Sequence, residues 1–232
     1  NNGDISDGNN GGGDYWVVKL DNVGNVVWDK TFGGSDHDYP KSIQQTSDGG
    51  YIVAGSTESN DGDISDGNNG RSDCWIIKLD GSGNEEWDKT YGSSVSDLPV
   101  SIKQTSDEGY IITGHTDRND EDIFDGVTND DYWILKIDSL GNKEWDKTYG
   151  GSINDQANTI QQTSDGGYIV AGYTQSNDGD ISDGNNGSHD YWIIKLDDSG
   201  NKVWDKTYGG SSEDNAESIQ QTSDGGYIVA GY

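Results

Sequence analysis

Apolar and polar residues alternate along short stretches of this chain. In Tyr15–Asp21, Trp16, Val18 and Leu20 fall on one face and Tyr15, Val17 and Lys19 on the other. That period of two predicts a strand, and no stretch of about 12 residues carries helical spacing. Four such runs, Ser42–Thr46, Tyr51–Ser56, Asp73–Leu79 and Glu85–Thr90, follow one another with turn signals between them. Ser47-Asp48-Gly49-Gly50 and Asp80-Gly81-Ser82-Gly83-Asn84 are rich in residues that tolerate positive φ, as hairpin turns require. The set then recurs. Asp14-Tyr15-Trp16 reappears as Asp73-Cys74-Trp75, Asp131-Tyr132-Trp133 and Asp190-Tyr191-Trp192, at spacings of 59, 58 and 59. Trp28, Trp87, Trp145 and Trp204 recur in step, so all eight tryptophans belong to the repeat. The pattern predicts an all-β chain with four strands per repeat. Cys74 stands where the other copies have Tyr and reads as a small buried hydrophobe inside a strand.

Four-stranded repeats of this length, stacked in series, describe a β-propeller. The run KLDNVGNVVWDKTFGG (Lys19–Gly34) is similar to the signature of quinoprotein-type propeller blades. The longer pattern DGGYIVAG…DYWVVKLD…GN…WDKTYGGS resembles blades of large secreted and cell-surface proteins of bacteria and archaea, over essentially the whole chain. No cofactor-binding or metal-binding residue of the quinoproteins is matched, so their chemistry is not implied. The resemblance implies a strand order within each blade: Ser42–Thr46 innermost (A), then Tyr51–Ser56 (B), Asp73–Leu79 (C) and Glu85–Thr90 outermost (D). In that order the chain begins in a B–C loop and ends in a B strand. Residues 1–232 are therefore expected to form one β-propeller domain of four four-stranded blades. Its last blade would be shared between residues 1–34 and 209–232, closing the ring and hiding the sheet edges. Part of a larger ring, or two chains pairing, remains the alternative.

Composition alone points elsewhere. Ile, Val, Leu and Phe make up 17% of 232 residues, and the formal charge is −29. Such values usually mean disorder. The 8 Trp, 13 Tyr and 2 Phe reverse that reading, because each buries roughly 150–250 Å². The charge disfavours nucleic acid, whose phosphates it would repel. One cysteine excludes an internal disulfide and a Cys-based zinc site. No apolar run reaches the ~18–20 residues that span a bilayer, and no basic-then-apolar segment opens the sequence.

Candidate chemistry lies in acidic loops. The B–C loop Asn60–Gly70 places Asp61, Asp63 and Asp66 at positions 1, 3 and 6, with Ser65 at 5 and Gly67 at 7. Asp73, at position 13, stands where strand C begins. Such oxygens suit Ca²⁺, which takes 6–8 of them. The match to an EF-hand loop is partial, since the Gly comes one residue late and no Glu stands at position 12. Asp178, Asp180, Ser182, Asp183 and Asp190 repeat the set, and Asp4, Ser6, Asp7 and Asp14 repeat it with Asn2 in place of the first Asp. The third copy keeps Asp120, Asp122, Asp125 and Asp131 but has Phe124 for the Ser. The bland alternative is a solvated Gly/Asn/Asp loop. A second set, Asp38, Asp97, Asp155 and Asp214, recurs in the D–A connections, four residues before the innermost strand. These residues either cap turns or form an acidic ring at the mouth of a central channel. Both sets are expected on one face, which suits cations or a basic partner.

His37, His115 and His189 occupy three different repeat positions, and no nucleophilic triad or His-based metal spacing stands out. Carboxylate pairs are numerous enough for a glycosidase-like pair to arise by number alone. The expected function is therefore non-enzymatic. The sequence reads as a calcium-binding, secreted or cell-surface propeller module for macromolecular interaction, adhesion or assembly, engaging protein or glycan at its acidic face. A glycan-binding propeller is the alternative.

Overall fold

A computed structural model describes residues 8–117 and 129–232. All regular structure among them is β, and no helix long and apolar enough to cross a membrane is present. The sixteen strands are β1 (Tyr15–Leu20), β2 (Val26–Phe32), β3 (Asp38–Gln45), β4 (Tyr51–Thr57), β5 (Asp73–Leu79), β6 (Glu85–Tyr91), β7 (Asp97–Gln104) and β8 (Tyr110–Asp117), followed by β9 (Asp130–Ile137), β10 (Lys143–Tyr149), β11 (Asp155–Gln162), β12 (Tyr168–Thr174), β13 (Asp190–Leu196), β14 (Lys202–Tyr208), β15 (Ala216–Gln221) and β16 (Tyr227–Gly231). They form three four-stranded meanders, β3-β4-β5-β6, β7-β8-β9-β10 and β11-β12-β13-β14, and two two-stranded sheets, β1-β2 and β15-β16. The paired strands are antiparallel. Each meander is one blade-like repeat, as the sequence period predicts.

Strand A starts earlier than the sequence pattern indicates. The β3–β4 ladder runs Asp38↔Thr57, Tyr39↔Ser56 and Pro40↔Gly55, then shifts register before Ser42↔Ala54. A bulge absorbs the extra residue, so the ladder continues although alternation breaks. Asp38, Asp97 and Asp155 are thus the first residues of their strands rather than four residues upstream, and Asp214 lies just before β15.

The chain packs as two compact units, one running to Pro99 and the other from Val100. In the first unit, Tyr15, Val17 and Phe32 of the β1-β2 sheet pack against Val53, Trp75, Ile77 and Leu79 of the β3–β6 sheet. In the second, Tyr132, Ile134 and Tyr149 meet Ile160, Val170, Trp192 and Ile194 in the same way. A further cluster joins Ile169, Ala171 and Ile193 to Ala216 and Ile219. Within each unit the cores therefore lie between neighbouring sheets, where sequence faces rich in aromatics meet.

Tyrosine hydroxyls tie these sheets together. Tyr15 donates to the Trp75 carbonyl at 3.2 Å, and Tyr132 to that of Trp192 at 2.9 Å. In the copy where Cys74 replaces this Tyr, Thr113 replaces the Ala found at 54, 171 and 230. The Thr113 hydroxyl donates to the Trp133 carbonyl at 3.2 Å. A local hydroxyl thus satisfies the buried acceptor that a Tyr satisfies elsewhere. Cys74 itself is fully buried, and burial, with Asp97 and Asp73 nearby, pushes its thiol pKa well up. It is an unreactive packing residue.

Candidate functional site

The B–C loop carboxylates turn to separate partners instead of one centre. In the first unit Asp61 accepts the Ser35 N–H at 2.7 Å and Asp63 accepts the Gly33 N–H at 3.0 Å. Ser59 accepts the Asp36 N–H at 3.0 Å. The second unit repeats this, with Asp178 on Ser152 at 2.8 Å, Asp180 on Gly150 at 3.3 Å and Ser176 on Ile153 at 2.9 Å. The B–C loop thereby clasps the D–A turn that precedes its own blade. Position 6 points outward, since Asp66 pairs with Lys89 at 2.9 Å and Asp183 with Lys206 at 2.8 Å. At position 5 the backbone binds strand D: the Ser65 N–H reaches Asp88 at 2.9 Å and that of Ser182 reaches Asp205 at 2.8 Å. The same Asp88 and Asp205 oxygens accept the indole N–H of Trp75 and Trp192, each at 3.1 Å. Asp4, Ser6, Asp7, Asp120, Asp122 and Asp125 lie outside the described residues.

The position-13 aspartates are brought instead to the D–A set. Asp14 stands with Asp38, Asp73 with Asp97, Asp131 with Asp155 and Asp190 with Asp214, 24 residues apart in every copy. Glycine makes the approach possible. The point a Cβ would take on Gly209 lies 2.5 Å from Asp190 Oδ1 and 2.9 Å from Asp214 Oδ2. On Gly33 the corresponding distances are 2.7 Å to Asp14 Oδ1 and 2.8 Å to Asp38 Oδ2. Backbone bonds hold the two chains together, as the Asp97 N–H donates to the Ser72 carbonyl at 2.8 Å and that of Asp214 to His189 at 2.9 Å.

One oxygen of each carboxylate caps a turn. Asp38, Asp97, Asp155 and Asp214 use Oδ2 to accept the N–H of Gly34, Ser93, Gly151 and Gly210, four residues upstream, at 2.7–2.9 Å. Asp14, Asp73 and Asp190 accept from Asn10, Asn69 and Asn186 in the same way, at 2.6–2.9 Å. The other oxygen is left over. Oδ1 of Asp14, Asp73 and Asp190 is buried and has no hydrogen-bond partner. Burial raises the Asp73 pKa against the Asn69 N–H bond, and the Asp97 charge adds to the rise. Burial raises Asp38 and Asp155 as well. Among the described residues no group of three or more His, Cys, Asp or Glu side chains converges as a metal-binding cluster.

Lysines complete the electrostatics. Lys78, 3% exposed, bonds Asp48 at 2.9 Å and Glu86 at 2.7 Å. Lys136 repeats this with Asp107 and Glu144 at 3.0 and 2.9 Å. Lys195 pairs with Asp165 at 3.0 Å, and Val203 stands where the Glu would be. The histidines are absorbed into local packing: His37 stacks on Tyr39 with centroids 5.6 Å apart, and His189 on Tyr173 at 4.5 Å.

Pattern reading located both acidic sets but missed their pairing and the burial of the lysines. The constant 24-residue separation was the available signal for the first. No protein-family model and no curated protein matches this chain.

Proposed function

We propose that this chain is a non-enzymatic, calcium-stabilised β-propeller module of a secreted or cell-surface protein. It binds a basic protein or a glycan at its acidic loop face, or serves as a repeating unit in a surface assembly. The observation that carries the reading is the clasp between B–C loops and D–A turns, which fixes acidic side chains of both segments in place within each unit. Acidic side chains fixed in this way concentrate a negative field that attracts cations or a basic partner. Calcium bound only by the folded chain raises the melting temperature by mass action, and EDTA lowers it. Mg²⁺ substitutes poorly, because it demands tighter octahedral geometry. Identical melting in millimolar Ca²⁺ and in EDTA would remove calcium from this account.

Tyr39, 45% exposed and parallel to His37, favours a glycan as the second reading, because a flat aromatic ring stacks on a sugar face. A glycan-array signal abolished by Tyr39→Ala would select it. Calcium-dependent growth of filaments or sheets in light scattering would select assembly.

The same reading makes β1-β2 and β15-β16 the outer and inner halves of one fourth blade, closing the ring. Internal comparison supports it. Ile228 is 61% exposed, whereas Ile52, Ile111 and Ile169 at the same repeat position are fully buried. Trp16 is 44% exposed, against 0–5% for Trp75, Trp133 and Trp192. A groove of about 360 Å³, lined by Tyr191, Ile193, Trp204, Tyr208, Tyr227 and Val229, is open beside β16. At the equivalent place Tyr149 is buried and its hydroxyl donates to the Gly200 carbonyl of the next C–D turn. In complete blades Gly55 pairs with Trp75 and Gly172 with Trp192. Closure therefore aligns Gly231 with Trp16, gives Tyr191 the Trp16 carbonyl, and places Lys19 against Asp224.

A further inference from the structure

The inference concerns where the calcium sits, and it rests on the calcium reading above. The Asp14–Asp38, Asp73–Asp97 and Asp190–Asp214 junctions, each between a strand-C start and the next strand A, hold two aspartates whose Oδ2 atoms accept backbone N–H groups. Asp73 and Asp190, both fully buried, keep Oδ1 without a hydrogen-bond partner; Asp73 Oδ1 lies against Gly92, and Asp190 Oδ1 meets Asp214 Oδ2 at Gly209. A buried anionic oxygen with no donor is costly, and two such carboxylates side by side are costlier. The Asp14–Asp38 junction repeats the arrangement.

We propose that a calcium ion bridges the paired aspartates at the Asp14–Asp38, Asp73–Asp97 and Asp190–Asp214 junctions, anchored on the unpartnered Oδ1 of Asp14, Asp73 and Asp190, and that the B–C loop carboxylates are not its ligands. The loop acids already serve backbone N–H groups and lysines, while Oδ1 of Asp14, Asp73 and Asp190 lacks a donor. The donor set is all oxygen and anionic, which selects a hard divalent cation over a softer transition metal. The ion welds one blade to the next, so the calcium stabilises the order of blades instead of the shape of a surface loop.

Titration calorimetry of the intact chain with Ca²⁺ tests this against a paired set of variants. Asp73→Asn/Asp97→Asn should lower the stoichiometry by one ion while leaving the other sites intact. Asp61→Asn/Asp63→Asn, which alters the loop alone, should leave the stoichiometry unchanged. In EDTA the junction variant should melt at or above the wild type, because a repulsion has been removed. If the loop variant loses the ion and the junction variant keeps it, the calcium reading stands and the junction assignment is overturned. If the wild type binds no Ca²⁺ at millimolar concentration, calcium falls altogether. Should the junction variant not fold, Tb³⁺ luminescence on the unaltered protein decides. A junction ion, held on buried carboxylates, shows a largely dehydrated inner sphere by H₂O/D₂O lifetimes. A well-hydrated Tb³⁺ would overturn the assignment.

Discussion

Glu108 has φ = 66°, alone among the described non-glycine residues in the left-handed region. It occupies the hairpin position held by Gly49, Gly166 and Gly225, whose φ values are 86–87°. A side chain there costs of order 1 kcal/mol, against which a glycine adds unfolded-state entropy. Glu108→Gly is expected to stabilise the protein by about 0.5 kcal/mol, raising the melting temperature by one or two degrees in calorimetry. The buried lysines give a contrast of opposite sign. Removing Lys78 leaves Asp48 and Glu86 facing each other, each about half exposed. Lys78→Met should cost ~1–2 kcal/mol by urea denaturation, less than for fully buried partners. Lys195→Met, which strands only Asp165, should cost less. Acid should act through the same pair. The Thr163 hydroxyl, and then Lys195, lower the Asp165 pKa to about 2. A lowered pKa contributes stability above the usual carboxylate range, and that stability is lost as the pH falls through about 4 toward 2. Asp165→Asn should flatten part of the melting-temperature decline in that window, by under ~1 kcal/mol because the pair is exposed to water.

At the scale of elements, period-two alternation and turn glycines made the strands legible, and strands C and D closely match the structure. Strand A was legible only in its second half. Its bulge between Pro40 and Ser42 interrupts alternation while the ladder continues, so a pattern reader stops where the hydrogen bonds do not. Lysine burial was hidden for a related reason. Alternation puts Lys19 on a face with Tyr15 and Val17, and Lys78, Lys136 and Lys195 on faces with Ile76, Ile134 and Ile193. Because β5, β9 and β13 are covered on both faces, as strands of parallel sheets are, these lysines are enclosed with their apolar neighbours. The ion partners lie on other strands, in the A–B turn and strand D, and no local window contains them. The candidate site was half legible. Asp38 and Asp73 were each visible as members of repeating sets, yet a loop motif drew Asp73 toward Asp61 and Asp63. Its three-dimensional neighbour is Asp97, set by the close approach at Gly92 and by the strand-C to strand-A bridge between Ser72 and Ser96.

For the whole molecule, the two-stranded sheets β1-β2 and β15-β16 expose Trp16 and Ile228, which equivalent positions of the four-stranded sheets bury. The proposed closure would remove that apolar area from water at roughly 25 cal/mol per Å² and pair two open sheet edges. Ring closure is thus the central claim of the proposal. Native-state hydrogen exchange, run on monomer isolated by size exclusion with light scattering, tests it without any substitution. Closure predicts that amides of β1 and β16, from Trp16 to Leu20 and from Ile228 to Gly231, exchange as slowly as those of β4 and β5. Fast exchange of β1 and β16 in a monomer whose β4 and β5 are protected would contradict it.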